Sequence, residues 1–159
     1  MVRRSERVAF AGGSGFQLSG IVDLPDEQPL GTAVFTHCFT CNKDLKAIVR
    51  ISRGLAEAGY QVLRYDLTGL GGSQGDFSQT HFSSNRDDLL AACDFMSQHY
   101  AAVDLLIGHS FGGACSLSLV EQIGSVRGVV AVAAPSDTGH LADLLVRRDP
   151  KIASQGTGS

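Results

Sequence analysis

Apolar positions along this chain change period several times, and each change marks an element. Val8 to Phe10, Gln17 to Leu24 and Thr32 to His37 are short strand-like runs separated by Gly12 to Gly15 and by Pro25 to Gly31, so they read as an opening meander. Gln17 to Val22 alternates weakly, as a half-covered antiparallel strand does. From Lys46 the period becomes helical: Ile48, Ile51, Leu55 and Ala58 form an apolar stripe that should face the core, with Lys46, Arg50, Arg53 and Glu57 off it and Gly59 as a stop.

Tyr60 to Asp66 is a further strand, and the glycines of Leu67 to Gly75 make the next segment a loop. Asn85 is the expected N-cap of a helix running to about Tyr100, with Asp87 and Asp88 in its first turn and Leu89, Cys93 and Met96 on its inner face. A strand over Val103 to Ile107, a helix over Phe111 to Ile123 and a strand over Val126 to Ala134 follow, the last apolar enough to be buried on both faces. Leu141, Leu144 and Leu145 suggest a short amphipathic helix, and 151–159 reads as a disordered tail, leaving 1–150 as the domain. Strands alternating with helices predict an α/β fold, a mainly parallel sheet with helices on both faces.

Composition narrows the partners. With 13 basic and 16 acidic residues and a net charge of −3, the chain has no cationic field for nucleic acid. No apolar run suits a bilayer or a signal peptide, so a cytoplasmic protein is expected. Its four cysteines, Cys38, Cys41, Cys93 and Cys115, are then expected to be reduced thiols.

The strongest chemical signal is Gly108-His109-Ser110-Phe111-Gly112, between the strand-like Leu105-Leu106-Ile107 and a helix. A serine hydroxyl becomes a useful nucleophile when a tight strand-to-helix turn lifts it clear of the backbone and a base takes its proton, and the flanking glycines leave room for such a turn. An oxyanion hole needs two donors: the helix start at Ser110 offers free N–H groups, and the Phe39 amide in the loop after the third strand is the second candidate.

Thr36-His37-Cys38-Phe39-Thr40-Cys41-Asn42-Lys43-Asp44, Asp66-Leu67-Thr68-Gly69-Leu70-Gly71-Gly72-Ser73 and Gly108 to Gly113, in this order, resemble the α/β-hydrolase superfamily. More narrowly, they look like the hydrolase part of bacterial proteins that fuse such a domain to an OsmC-like one. The resemblance implies Ser110 as nucleophile, Phe111 and Phe39 as backbone oxyanion donors, and hydrolysis of a small acyl ester, thioester or amide through an acyl-enzyme; no cofactor or metal is expected. It also implies that the catalytic acid and histidine follow later strands, so the last strands and those two residues are expected to be missing here. Cys38 stands where the superfamily usually has glycine.

Among the five histidines, His37 could approach Ser110, His109 is expected in the packing behind the elbow, and His81 and His99 are expected at the surface. Asp137 and His140 are weak substitutes for the acid and base. Two alternatives stand beside the hydrolase: a non-catalytic domain that keeps the elbow, and a thiol-redox or zinc site at Cys38 and Cys41, where two ordinary loop thiols are the plainer expectation. An exposed sixth strand also predicts self-association.

Overall fold

The computed structural model describes residues 4–137 together with Gly139, Asp143, Val146 and Arg147. Leu141, Leu144, Leu145, His140 and the tail 151–159 lie outside the described residues. Strands β1 (Arg4–Ala11), β2 (Gln17–Leu24), β3 (Gly31–Thr36), β4 (Tyr60–Tyr65), β5 (Leu105–His109) and β6 (Gly128–Val132) form one six-stranded sheet in the order β1-β2-β4-β3-β5-β6. β1 and β2 form an antiparallel hairpin, and β2 lies antiparallel to β4. Pairing between β4, β3, β5 and β6 is parallel throughout.

The meander expected from the first three strands therefore stops after two. β3 crosses to the centre of the sheet because its run Ala33-Val34-Phe35 is apolar on both faces and is wholly buried there, while the partly polar β2 takes the antiparallel place beside β4. Alternation along the strands then builds two cores. Ala33, Phe35, Val62 and Ile107 face helix α1 (Lys46–Glu57) through Ile48. Val34, Leu63, Tyr65 and Leu106 face helices α2 (Phe82–His99) and α3 (Phe111–Leu119) through Leu89, Met96, Cys115 and Leu119. Helices cover both faces, as expected.

Several local expectations need correction. The buried face of α1 is Ile48, Ser52 and Ala56, and Ile51 is exposed. The helix is rotated from its apolar stripe because Ser52 Oγ donates to the buried Asp23 carboxylate at 2.5 Å. Helix α2 starts at Phe82, not after Asn85: the His81 ring accepts from the Ser84 N–H at 3.2 Å and Ser84 Oγ accepts from the His81 N–H at 2.9 Å, a reciprocal cap built from residues not read as one. Asn85 and Asp88 are consequently buried inside the helix.

β5 begins two residues later than expected. Asp104 instead caps the start of β3, its carboxylate accepting from the Thr32 N–H at 2.9 Å. Helix α3 ends at Leu119, short of Ile123. β6 is not buried on both faces: among the described residues it pairs only with β5, and Val130 and Val132 are exposed. Apolar sequence alone does not report a strand's place in the sheet; the neighbour on each side decides it.

Candidate active site

The parallel register sets Thr36 beside both Tyr65 and Gly108, so the chain leaves β3, β4 and β5 at one edge of the sheet. His37, Asp66 and Ser110 emerge there together. Gly108 and His109 still belong to β5, and Ser110 caps α3 with φ 52° and ψ −115°. That conformation costs an L-residue about 1–3 kcal/mol, and the surrounding structure has to impose it. Two contacts do so. The Ser110 N–H donates to the Val132 carbonyl of β6 at 2.8 Å, and the Ser110 carbonyl accepts from the Gly113 and Ala114 amides at 3.0 and 3.2 Å, starting the helix.

The glycines of the elbow are forced by contact. A Cβ on Gly108 would overlap the Gly112 carbonyl, and a Cβ on Gly112 would overlap the Thr36 and His37 carbonyl oxygens. The first turn of α3 thus lies directly against the end of β3, which brings the loop carrying Phe39 beside the elbow. The Phe39 and Phe111 rings meet edge to face with centroids 5.8 Å apart. Phe77 also packs edge to face on Phe39, with centroids 5.0 Å apart, and Phe82 on Phe111 at 5.5 Å. The structure brings together Ser110, Phe111 and Phe39, the three residues singled out from the sequence. At the first position of α3 the Phe111 amide belongs to the helix's unpaired donors, and the Phe39 amide has no hydrogen-bond partner among the described residues.

A cavity of about 350 Å³, lined by Asp23, Leu24, Arg53 and Gly59 among others, opens at the opposite edge of the sheet. It contains none of these groups.

Residues 28–153 match the serine aminopeptidase S33 family. The chain belongs to that family of α/β hydrolases. An esterase domain from Rhodothermus marinus is 43% identical over 86% of this chain and 53% of its own, with a TM-score of 0.71. An α/β serine hydrolase without a lid from Xanthomonas campestris is 26% identical over 84% of this chain and 62% of its own, with a TM-score of 0.73. A protein of Rickettsia prowazekii, itself uncharacterised, is 30% identical over 118 residues, which are 72% of this chain and 49% of the relative. The chain spans about half the length of the Rhodothermus and Rickettsia relatives.

In this S33-family chain the loops around the elbow are held by the carboxylate that opens the second motif segment, to which the sequence assigned no role. Asp66, wholly buried at the end of β4, accepts from the Lys43 amide at 2.7 Å, Lys43 Nζ at 2.8 Å and the Gly72 amide at 2.9 Å. Burial pulls the Lys43 ammonium down, but the hydrogen bond and charge of Asp66, then those of Asp44, outweigh it and leave its pKa raised. Gly71 has φ 52° and no room for a Cβ against the Asp66 carboxylate. Arg64 extends the network, donating to Asp23 at 2.9 Å and to the Lys43 carbonyl at 3.0 Å. The sequence signal was an Asp at the C-terminal end of a strand followed by a Gly-rich loop.

Asp88 is a second missed anchor. Its buried carboxylate accepts from the Thr68 amide at 2.9 Å, Thr68 Oγ1 at 2.7 Å and the Gly13 amide at 3.1 Å. Burial raises its pKa, with the Thr68 and Gly13 bonds opposing.

His37 is not available as a base for Ser110. Its Nε2 accepts from the Leu67 amide at 3.1 Å, so Nδ1 carries the proton and donates to the Cys38 carbonyl at 2.7 Å. His81 is used as a helix cap, and His99 Nδ1 lies 3.1 Å from the Phe95 carbonyl. Both are at the surface, as expected. His109 is half-buried at the end of β5.

The cysteine expectation is overturned in part. Cys38 and Cys41 form a disulfide, while Cys93 and Cys115 are free and buried. The paired sulfurs and the doubly engaged His37 leave no zinc set in this loop. Among the described residues, no group of three or more His, Cys, Asp or Glu is placed to hold a metal ion, and no helix is long and apolar enough to cross a membrane.

Proposed function

We propose that this chain supplies the nucleophile and oxyanion hole of a serine hydrolase acting on a small acyl ester, thioester or amide. The observation that carries the reading is the contact of Gly112 with the Thr36 and His37 carbonyls, which fixes the strained Ser110 beside the loop of Phe39. In this mechanism Ser110 Oγ attacks the acyl carbonyl, whose oxygen takes up negative charge and is received by the Phe39 and Phe111 amides. Collapse expels the alcohol, thiol or amine and leaves an acyl-enzyme that water clears. Preorganised amides need no rearrangement as the charge develops, and loss of one such donor costs about 10²–10³ in rate.

A general base is required as well, since triad members act as a unit. His37, His81 and His99 are committed elsewhere and His109 belongs to strand β5, so the reading assigns the base to chain outside the described residues, of which His140 is one candidate. The relatives named as an esterase domain and as a serine hydrolase support the reaction class. The narrower resemblance to OsmC-fused hydrolases and a cytoplasmic setting belong to this proposal too.

A fluorophosphonate probe should label Ser110 in the full-length protein and leave Ser110→Ala unlabelled; absence of label at Ser110 overturns the reading. One observation favours a second reading, a domain that keeps the fold without the chemistry: Ser110 Oγ has no hydrogen-bond partner among the described residues. Turnover of p-nitrophenyl acetate by the full-length protein, lost in Ser110→Ala, decides against that alternative.

A further inference from the structure

We propose that the Cys38–Cys41 bridge is a redox modification site that controls the oxyanion loop, holding the Phe39 amide in place when oxidised and releasing it when reduced. The inference rests on the Ser110 reading above. The bridge closes a ring over residues 38–41, with Cα atoms 5.3 Å apart, and this ring contains Phe39. Within it the Cys41 amide donates to the Cys38 carbonyl at 3.1 Å, and Thr40 has φ 62°.

A tight turn with positive φ at its third residue suits glycine or asparagine, and a β-branched threonine there is strained. Both flanks of the turn are tied down independently. His37 Nδ1 holds the Cys38 carbonyl, and Lys43 is clamped to Asp66 through its amide and its ammonium. Between those anchors, the turn conformation is kept by the covalent bridge, one backbone hydrogen bond and the Phe39 ring contacts with Phe77 and Phe111. Opening the bridge lets Thr40 leave its left-handed conformation, and the turn that aims the Phe39 amide opens with it.

Access is uneven across the pair. Phe39 and Thr40 are exposed and Cys41 is half-exposed, whereas Cys38 is buried. An incoming thiolate from a dithiol reductant therefore attacks Cys41 Sγ; the S–S bond breaks, and Cys38 leaves as a thiolate and takes up a proton. The second thiol of the reductant then closes on the mixed disulfide and releases Cys41 as a thiol. Two electrons pass from the dithiol, now a disulfide, to the cysteine pair, and a disulfide oxidant reverses the exchange. Cys93 and Cys115 do not compete, being buried with thiol pKa values pushed up to about 12, chiefly by desolvation.

The test compares full-length protein before and after dithiothreitol, with iodoacetamide mapping to verify that Cys38 and Cys41 become alkylated only after reduction. Fluorophosphonate labelling of Ser110 should slow about tenfold or more on reduction and recover with oxidised glutathione. A Cys38→Ala/Cys41→Ala protein should label at the reduced rate and ignore reductant. Amide exchange across Phe39–Cys41 should accelerate on reduction.

Unchanged labelling despite mapped reduction overturns the switch, as does alkylation of both cysteines in protein never exposed to reductant. Should the double variant fail to fold, the wild-type comparison still decides. If Ser110 labels in neither state, the hydrolase reading has failed and amide exchange alone judges the loop: unchanged exchange across Phe39–Cys41 overturns the switch.

Discussion

The Leu67 amide donates to His37 Nε2 across 3.1 Å, joining the loop after β3 to the loop after β4 through a neutral imidazole. Protonation of Nε2 would replace this acceptor with a donor and face it at an amide.

A pH dependence follows from that bond. Burial pushes the His37 pKa below its ordinary 6.5, against the pull of the Cys38 carbonyl and of Asp66. The folded state then binds a proton less readily than the unfolded chain. Its contribution to stability is complete above pH 6.5 and is lost as pH falls from there toward the depressed folded value. Urea midpoints between pH 7.5 and 5.5 should decline, and His37→Gln should start lower and decline less steeply. A slope unchanged by His37→Gln would contradict the assignment.

Ser110→Gly is expected to stabilise the fold while abolishing activity. Glycine adopts φ 52° without the penalty that serine bears, so the thermal midpoint should rise by the equivalent of about 1 kcal/mol, offset in part by the greater freedom of glycine in the unfolded chain. Ser110→Ala keeps a Cβ and should leave the midpoint near wild type. Calorimetry of the three proteins separates strain from chemistry.

Gly112→Ala should be far more damaging than a single methyl suggests. The added carbon meets two backbone carbonyl oxygens, neither of which can swing away as a side-chain tip could. A loss of about 3 kcal/mol or more is expected, or failure to accumulate as soluble protein. Gly54, with nothing near its Cβ position, is the control: Gly54→Ala in the last turn of α1 should stabilise by about 0.5–1 kcal/mol.

Self-association through β6 is the fourth expectation. Val130 and Val132 are 46% and 44% exposed on a strand paired on one side only among the described residues. Such an edge invites pairing with another chain. Sedimentation of the 159-residue chain should show species larger than a monomer, and Val130→Lys should shift them toward the monomer. A monodisperse monomer at high concentration would remove this expectation.

Features that depend on neighbours along the chain were legible in the sequence. The elbow between Leu105-Leu106-Ile107 and α3, the helix stopped at Gly59 and the Gly-rich loop after Asp66 all follow from local period and glycine placement. What the sequence concealed depends on partners far along the chain. Ser52 turns inward because Asp23 lies 29 residues away, a pairing that an apolar stripe cannot announce. Asn85 is a better intrinsic cap than His81, yet His81 is used because Ser84 answers it across the first turn. The place of β3 at the centre of the sheet and the commitment of both His37 nitrogens are likewise set by who sits alongside. The aromatic set of Phe39, Phe77, Phe82 and Phe111 is spread over more than seventy residues and meets only in the folded chain.

The seating of Gly112 on the Thr36 carbonyl also limits how this chain could be remodelled. Because backbone meets backbone there, the approach of the first turn of α3 to the end of β3 is set without any side chain. Variation has to enter through side chains such as the exposed Phe39 ring, which can be exchanged singly, whereas the spacing of the two backbones is inherited whole.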